Sequence, residues 1–197
     1  MDAQLILASA SPRRQALLRQ AGIVFRQQVT AIDESPLHNE SAEDCVVRLA
    51  LEKARAVRQH EGEDELPVLG ADTSVVLDGR MLGKPGGPEQ ARQMLQALSG
   101  REHRVLSAVA LVREREAVRL STSRVWFRPL EAAEIDAYWR TGEPRDKAGG
   151  YAIQGIGALF IERLEGSYTG VMGLPLYETG QLLQEFGIQV LDNTHDS

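Results

Sequence analysis

The first candidate for chemistry is the segment 5–14, which reads LILASASPRR. Ser11 is a preferred helix N-cap, and Pro12 suits the first helical position. Arg13 and Arg14 therefore fall in the first helical turn, where the helix dipole disfavours cations. Two guanidinium groups beside free backbone N–H groups are well placed to bind an anion. The pattern indicates a phosphate site, and its alternative is an ordinary strand–turn–helix with two solvated arginines.

A second set of charged residues lies further along the chain. Asp72 directly follows a predicted buried strand, so its carboxylate either projects at the sheet edge or caps a turn. Lys84 lies in a loop stiffened by a proline. Lys53 lies in the apolar stripe of a predicted helix, where a lysine either snorkels to solvent or reaches a site. Glu34, next to Asp33, is in a polar loop and is either a site carboxylate or a solvated residue.

These residue types together suit phosphoanhydride chemistry. In such chemistry cations neutralise a polyphosphate, carboxylates hold a hard metal ion, and one carboxylate activates water. Each of the signals is compatible with a structural role when it is taken alone. Their agreement favours a site for a small anionic substrate.

Other chemistries lack their sequence signatures. The four histidines are scattered without metal-ligand spacing. No G-x-S-x-G motif is present, so Ser9 or Ser11 as an acyl nucleophile is not favoured. The glycines of segment 155–157 lack the third glycine of a dinucleotide fingerprint, and the P-loop motif is absent. Neither a Rossmann cofactor nor a P-loop is predicted.

The elements that must position these residues alternate between helix and strand. Strands are predicted over residues 5–8, 23–29, 66–71, 74–77, 103–112, 118–127 and 158–164. Helices are predicted over residues 13–21, 41–60, 88–100, 131–141 and 175–186, with a long glycine-rich loop over 142–157. The alternation, with one antiparallel pair, predicts an α/β fold with a mixed sheet flanked by helices. We expect a single domain over residues 1–197, with two lobes around a central cleft.

Composition restricts the partners and the compartment. The chain has 197 residues and a net charge of −6, which argues against a nucleic-acid polymer as partner. A single cysteine, Cys45, excludes an internal disulfide and is expected in a reducing compartment. We find no signal-peptide pattern and no apolar run approaching the ~20 residues of a membrane span. The expectation is a cytoplasmic protein without a membrane partner.

Four motifs in order along the chain resemble the Maf family. They read SASPRR at 9–14, GADT at 70–73, GKP at 83–85, and DKAGGY at 146–151 followed by QG at 154–155. Maf proteins are house-cleaning nucleoside triphosphate pyrophosphatases of bacteria and eukaryotes. The resemblance implies a fold similar to inosine-triphosphate pyrophosphatases (Maf/Ham1-like) and a homodimer. It also implies a divalent cation, Mg²⁺ or Mn²⁺, and cleavage of a nucleoside triphosphate to the monophosphate and pyrophosphate.

The resemblance also assigns roles to positions of this sequence. Asp72 matches the proton acceptor of the family. Six further residues match its substrate- and metal-site positions, namely Ser9, Arg13, Arg14, Glu34, Lys53 and Lys84. Asp72 and Glu34 are the implied metal ligands, although the neighbouring Asp33 leaves the register of Glu34 open by one residue.

Three specificity positions of the family correspond to Arg13, Thr73 and Gln154. This combination resembles the branch that acts on dTTP, UTP and some modified pyrimidine nucleotides. The branch that acts on 7-methyl-GTP typically has a bulky apolar residue, a glutamine and a glutamate at these positions. An amide such as that of Gln154 carries both a donor and an acceptor and can recognise a uracil or thymine ring.

Two other functions compete with this one. The first is a non-catalytic nucleotide-binding regulator, for example of cell division, a role also linked to the family. The intact Asp72 beside intact cation positions favours an enzyme, because a pure binder needs no base. The second is a triphosphatase for purine or damaged nucleotides, which differs only in the base pocket.

Overall fold

The computed structural model describes residues 2–60 and 66–190. The strands in these ranges are β1 Leu5–Leu7, β2 Phe25–Gln27, β3 Val68–Leu77, β4 Arg80–Leu82, β5 Glu102–Val112, β6 Glu116–Phe127 and β7 Ile161–Glu165. The helices are α1 Pro12–Gln20, α2 Ala42–Arg58, α3 Pro88–Leu98, α4 Ala132–Arg140, α5 Tyr168–Met172 and α6 Leu176–Glu185. Short 3-10 turns cover Glu143–Asp146, Ala148–Gly150 and Ile156–Phe160.

The strands form one mixed sheet in the order β2-β1-β3-β5-β6-β7, with β4 also paired to β3. β1 runs parallel to β2 and β3, and the other pairs are antiparallel. The predicted α/β fold with a mixed sheet flanked by helices is therefore confirmed. No helix in the described ranges is long and apolar enough to cross a membrane.

The strand that carries Asp72 differs from the prediction. The sequence predicts two strands over 66–71 and 74–77, with Asp72 just beyond the first. β3 is instead continuous, because β5 pairs with it without interruption from Val68 to Val76. On the opposite edge β1 pairs only with Val68 and Leu69, and β4 only with the segment 75–77. Asp72 thus lies inside β3, where this edge of the strand has no pairing partner between β1 and β4 in the described ranges.

Helix α2 packs closely on one face of β3. Its N-cap Ser41 accepts a hydrogen bond from the Asp44 N–H at 3.0 Å, and its predicted apolar stripe is buried. A Cβ on Gly70 would lie 2.1 Å from the Ala50 carbonyl oxygen, so only glycine permits this approach. The close contact brings Lys53 of α2 over Asp72, two residues beyond Gly70 on the same face of the strand.

The glycine-rich segment 142–157 contains short 3-10 turns that sequence patterning does not predict. Such turns are too short to show a helical period, and Gly149 and Gly150 adopt positive φ values of 69° and 72°. The Gly149 N–H donates to the Gly83 carbonyl at 3.0 Å, which ties this segment to the loop of Lys84. Helix α5 is likewise missing from the prediction, since its single turn carries no periodic signal.

Candidate active site

One cleft of about 730 Å³ collects the nine residues that the sequence assigns to the site. It is lined by Ser9, Arg13, Arg14, Glu34, Lys53, Asp72, Thr73, Lys84 and Gln154. They come from the turn after β1, the first turn of α1, the loop before α2, α2 itself, the middle of β3, and two loops. Asp72, Thr73 and Ser74, which lie in the gap in pairing along one edge of β3, line this cleft.

The centre of the cleft is an ammonium group between two carboxylates. Lys53 Nζ donates to Asp72 Oδ1 at 2.6 Å and lies 2.8 Å from Glu34 Oε1. The side chains of Lys53 and Asp72 are 13% and 14% exposed, so their pairing is shielded from solvent. Asp72 Oδ2 makes no hydrogen bond to any residue in the described ranges and is therefore available to water or a ligand.

The structure places Glu34 in the site, and Asp33 outside it. Asp33 accepts a hydrogen bond from the Ser35 N–H at 2.9 Å and is solvent-exposed. Burial alone would raise the pKa of Glu34. The hydrogen bond and charge of Lys53, with the charges of Lys84 and Arg14, outweigh burial and hold the pKa of Glu34 below its usual value. Glu34 is therefore ionised at neutral pH.

Arg14 connects three parts of the cleft through hydrogen bonds from its guanidinium. Its guanidinium donates to the Gly173 carbonyl at 2.8 Å, to Ser9 Oγ at 3.0 Å and to Thr73 Oγ1 at 3.3 Å. Burial is the main reason that the pKa of Arg14 is lowered, and the group stays charged. Because its donors point at protein atoms, Arg14 fixes Ser9 and Thr73 relative to the loop after α5.

Arg13 faces the same loop from the other side of the turn. Its Nε donates to the Met172 carbonyl at 3.2 Å, and Nη1 lies 3.8 Å from Asp146 Oδ2. Partial burial lowers the pKa of Arg13, and Asp146 opposes this effect. The group is oriented by the Met172 carbonyl, and Arg13 lines the cleft.

Two predicted residues have free side chains within the described part of the molecule. Lys84 makes no ion pair there, and its ammonium group is available to an anion. Gln154 is exposed at the cleft wall, and its amide makes no hydrogen bond within the described ranges. Both are placed to contact a ligand without first breaking an internal bond.

The cleft carries a positive surplus although the whole chain has a net charge of −6. Its cationic lining residues are Arg13, Arg14, Lys53, Lys84 and Lys147. Its acidic lining residues are Glu34, Asp72 and Asp146. Five cations against three carboxylates leave two positive charges in excess. A cleft of this kind attracts a compact polyanion.

A family profile described as Maf-like protein matches residues 4–186. This chain belongs to the Maf family. A protein of Alkalilimnicola ehrlichii named dTTP/UTP pyrophosphatase is 58% identical over 188 residues, which cover 93% of each chain. A protein of Methylococcus capsulatus with the same name is 54% identical over 95% of this chain and 93% of its own.

A solved structure, the Ham1 protein of Staphylococcus aureus, matches 62% of this Maf chain and 71% of its own at 13% identity and a TM-score of 0.45. That likeness is too distant to transfer a residue role or an activity. The assignment to the Maf family depends on the sequence matches alone.

The donors in the cleft of this Maf protein fit a divalent cation that binds together with substrate. Asp72 and Glu34 supply hard carboxylate oxygens; one oxygen of each faces the Lys53 ammonium group between them, and a cation would use their other oxygens. The described residues contain no group of three or more metal-binding side chains. Mg²⁺ characteristically uses one or two carboxylates and completes its shell with water and substrate phosphates. The site thus fits a metal–nucleotide complex better than a resident ion.

Several functional contacts were not predicted from the sequence. Asp146 and Lys147 line the cleft and form an ion pair with each other, and their only sequence signal is their place in the DKAGGY motif. Ser107 of β5 lies 2.9 Å from Thr73 Oγ1 and has no sequence signal. The carbonyls of Met172 and Gly173 orient both arginines, which no side-chain pattern reveals.

Proposed function

We propose that this Maf protein hydrolyses nucleoside triphosphates to the monophosphate and pyrophosphate, with dTTP, UTP and modified pyrimidine nucleotides as substrates. The observation that carries the proposal is Asp72, which lines a cleft with a surplus of positive charge and bonds Lys53 through Oδ1 alone among the described residues. The names of the relatives from Alkalilimnicola and Methylococcus support the same activity.

The triphosphate lies against the N-terminus of α1 and between two lysines. Pro12 has no N–H, and Ser11 accepts the Arg14 N–H. The first turn of α1 therefore offers the Arg13 N–H, and the Arg13 side chain adds a positive charge at this end of the cleft. Lys53 and Lys84 stabilise the negative charge that develops on the leaving pyrophosphate. Lys84 is free to move onto the phosphates, whereas Lys53 is already fixed beside Asp72.

Asp72 acts as the general base. Water held at Oδ2 loses a proton to the carboxylate and attacks the α-phosphorus. The bond from the α-phosphorus to the bridging oxygen breaks, and pyrophosphate leaves with that oxygen. Lys53 on Oδ1 keeps the carboxylate oriented and leaves Oδ2 for the water. Asp72 and Glu34 would hold Mg²⁺ or Mn²⁺, which supplies neutralisation of phosphate charge.

Recognition of the base falls to Arg13, Thr73 and Gln154. The Thr73 hydroxyl is hydrogen-bonded to Arg14, Ser107 and the Gly173 carbonyl. Thr73 therefore contributes to base recognition through the shape of the cleft wall and not through a hydrogen bond to the base. Gln154 offers a free donor and a free acceptor, which match the alternating polar edge of uracil and thymine.

The test is a panel of nucleoside triphosphates incubated with the purified protein and Mg²⁺ or Mn²⁺. We expect phosphate to appear only when inorganic pyrophosphatase is added, and chiefly from dTTP and UTP. Activity centred on purine nucleotides would retain the mechanism and refute the assignment of the base pocket. Binding without turnover of any nucleotide would refute the enzyme and favour a nucleotide-binding regulator of cell division. A homodimer in the cytoplasm remains a prediction.

A further inference from the structure

A hydrogen-bond network lies behind Gln154 and is built on two side chains, those of Tyr138 and Glu143, that do not line the cleft. Glu143, at the start of the first 3-10 turn, accepts from the Ile156 N–H at 2.9 Å and from the Gly157 N–H at 3.0 Å. Tyr138 of α4 donates to Glu143 Oε1 at 2.6 Å. The Tyr138 hydroxyl in turn accepts from the buried Ala152 N–H at 3.1 Å. The two side chains therefore hold the backbone on both sides of Gln154.

The glycines of this loop are required by the same two side chains. A Cβ on Gly155 would lie 2.2 Å from Glu143 Oε2, and a Cβ on Gly157 would lie 2.7 Å from the Tyr138 hydroxyl. Neither position needs a positive φ, so the constraint is steric. The backbone around Gln154 thus approaches the carboxylate and the hydroxyl more closely than any other residue type allows.

The network is rigid because its members are buried or fixed at both ends. Tyr138 is 2% exposed and packs edge-on against Phe160 at a ring distance of 4.9 Å. Burial and the Glu143 hydrogen bond raise the pKa of Tyr138, so its hydroxyl remains a donor at every working pH. Glu143 is ionised, since Tyr138 and the two backbone N–H groups outweigh the effect of burial on its pKa.

The same 3-10 turn also connects Gln154 with Arg13. Glu143 begins the turn and holds the Gln154 loop, whereas Asp146 ends it and faces Arg13 at 3.8 Å. Asp146 adds a long ion pair to Arg13, whose Nε is oriented by the Met172 carbonyl. The turn therefore acts mainly on the Gln154 loop.

We propose that Tyr138 and Glu143 are positioning residues that set the base selectivity of the cleft by fixing the Gln154 loop. The proposal rests on the proposed function, because it assumes that Gln154 contacts the base. Neither side chain touches the reacting phosphates. Their loss therefore affects which base is accepted and leaves the chemistry at Asp72 in place.

The test compares Tyr138→Phe and Glu143→Gln with the wild-type protein and with Tyr177→Phe. Phenylalanine at 138 keeps the packing and removes the hydroxyl; glutamine at 143 keeps the shape but replaces one acceptor oxygen by an amide donor. Tyr177 is the matched control, because it is 73% exposed on α6 and its hydroxyl bonds only Gln181 among the residues that the structure describes. The kcat and KM of dTTP and dGTP are measured well below each melting temperature.

We expect the ratio of kcat/KM for dTTP over dGTP to fall about tenfold in Tyr138→Phe and Glu143→Gln, since a small displacement of a positioned group costs up to ~100-fold. The loss should lie mainly in KM for dTTP, and Tyr177→Phe should retain the wild-type ratio. An unchanged ratio in both variants, with only a lower melting temperature, would overturn the proposal and leave the network a purely structural role.

A second readout does not depend on activity. Amide hydrogen exchange should accelerate at least tenfold at Ala152 in Tyr138→Phe, which removes the acceptor of that N–H, and at Ile156 or Gly157 in Glu143→Gln, which removes one of their two acceptor oxygens. Unchanged protection at all three amides in both variants overturns the proposed network. If the wild-type protein shows no turnover or no preference for dTTP, the proposed function fails, and the exchange data still decide whether the loop is held in this way.

Discussion

Replacement of Asp72 by asparagine separates the role of this residue in catalysis from its role in the fold. The change removes one negative charge and the proton-accepting capacity while it keeps the size of the side chain. Lys53 retains Glu34 at 2.8 Å, and the new amide oxygen can still accept from Lys53 Nζ. No buried charge is left without a partner, which is the condition that makes broken ion pairs costly.

In Asp72→Asn the expected loss of stability is small and the expected loss of turnover is large. Weakening one charged hydrogen bond costs about 1 kcal/mol of stability, which lowers the melting temperature of a domain of this length by roughly 2–4 °C. Loss of a general base reduces kcat by ~10²–10⁴-fold, equivalent to about 3–5 kcal/mol in the activation free energy. Nucleotide binding should not weaken, since a negative charge facing the triphosphate is removed.

The assay follows pyrophosphate release from dTTP and UTP, with calorimetric titration of dTTP and thermal melting on the same samples. Asp136→Asn is the matched control, because Asp136 accepts three hydrogen bonds from Arg92 between α3 and α4, away from the cleft. That variant should keep wild-type turnover. If Asp72→Asn retains turnover within tenfold of the wild-type value while it binds nucleotide, Asp72 is not the base.

Three further predictions concern other residues. Lys84→Ala should raise KM for dTTP about tenfold with an unchanged melting temperature, because Lys84 makes no ion pair in the described ranges; an unchanged KM contradicts its contact with phosphate. Gln154→Glu should lower kcat/KM for dTTP and UTP by about 10–100-fold, since a carboxylate offers no donor; an unaltered substrate profile contradicts base recognition by Gln154. Burial lowers the pKa of His103 from 6.5 to about 4, so below pH 6.5 the unfolded chain binds a proton that the folded protein rejects. Stability should therefore fall by roughly 3 kcal/mol between pH 6.5 and pH 4 through this group, and denaturant titrations of His103→Gln should lack that component.

Local chemistry in the sequence predicts much of the fold. Ser11 caps α1 and accepts from the Arg14 N–H, and the Asp78-Gly79 pair, a common hairpin-turn sequence, joins β3 to β4 with φ values of 50° and 76°. Helix α2 begins after the N-cap Ser41 and buries its predicted apolar stripe. These features depend on residues a few positions apart, so their signals are complete within a short window of sequence.

The candidate site is only partly local. Charge, position and the family motifs predict nine of the residues that line the cleft from sequence alone. The sequence left the role of Lys53 open between a snorkelling side chain and a site residue. The structure places Lys53 against Asp72, because Gly70 lets α2 approach β3 closely.

Tertiary structure alone decided the contacts between distant segments. Asp72 lies inside β3 because β5, more than thirty residues later, extends the strand past the predicted end. Arg14 points inward because carbonyl groups at residue 173 and hydroxyls at 9 and 73 meet around it. Glu143 fixes the loop of Gln154 through backbone N–H groups, which carry no side-chain signal. The sequence determined which groups are available for chemistry, and the long-range pairing of strands and loops determined which of them meet, because such pairing depends on the whole chain.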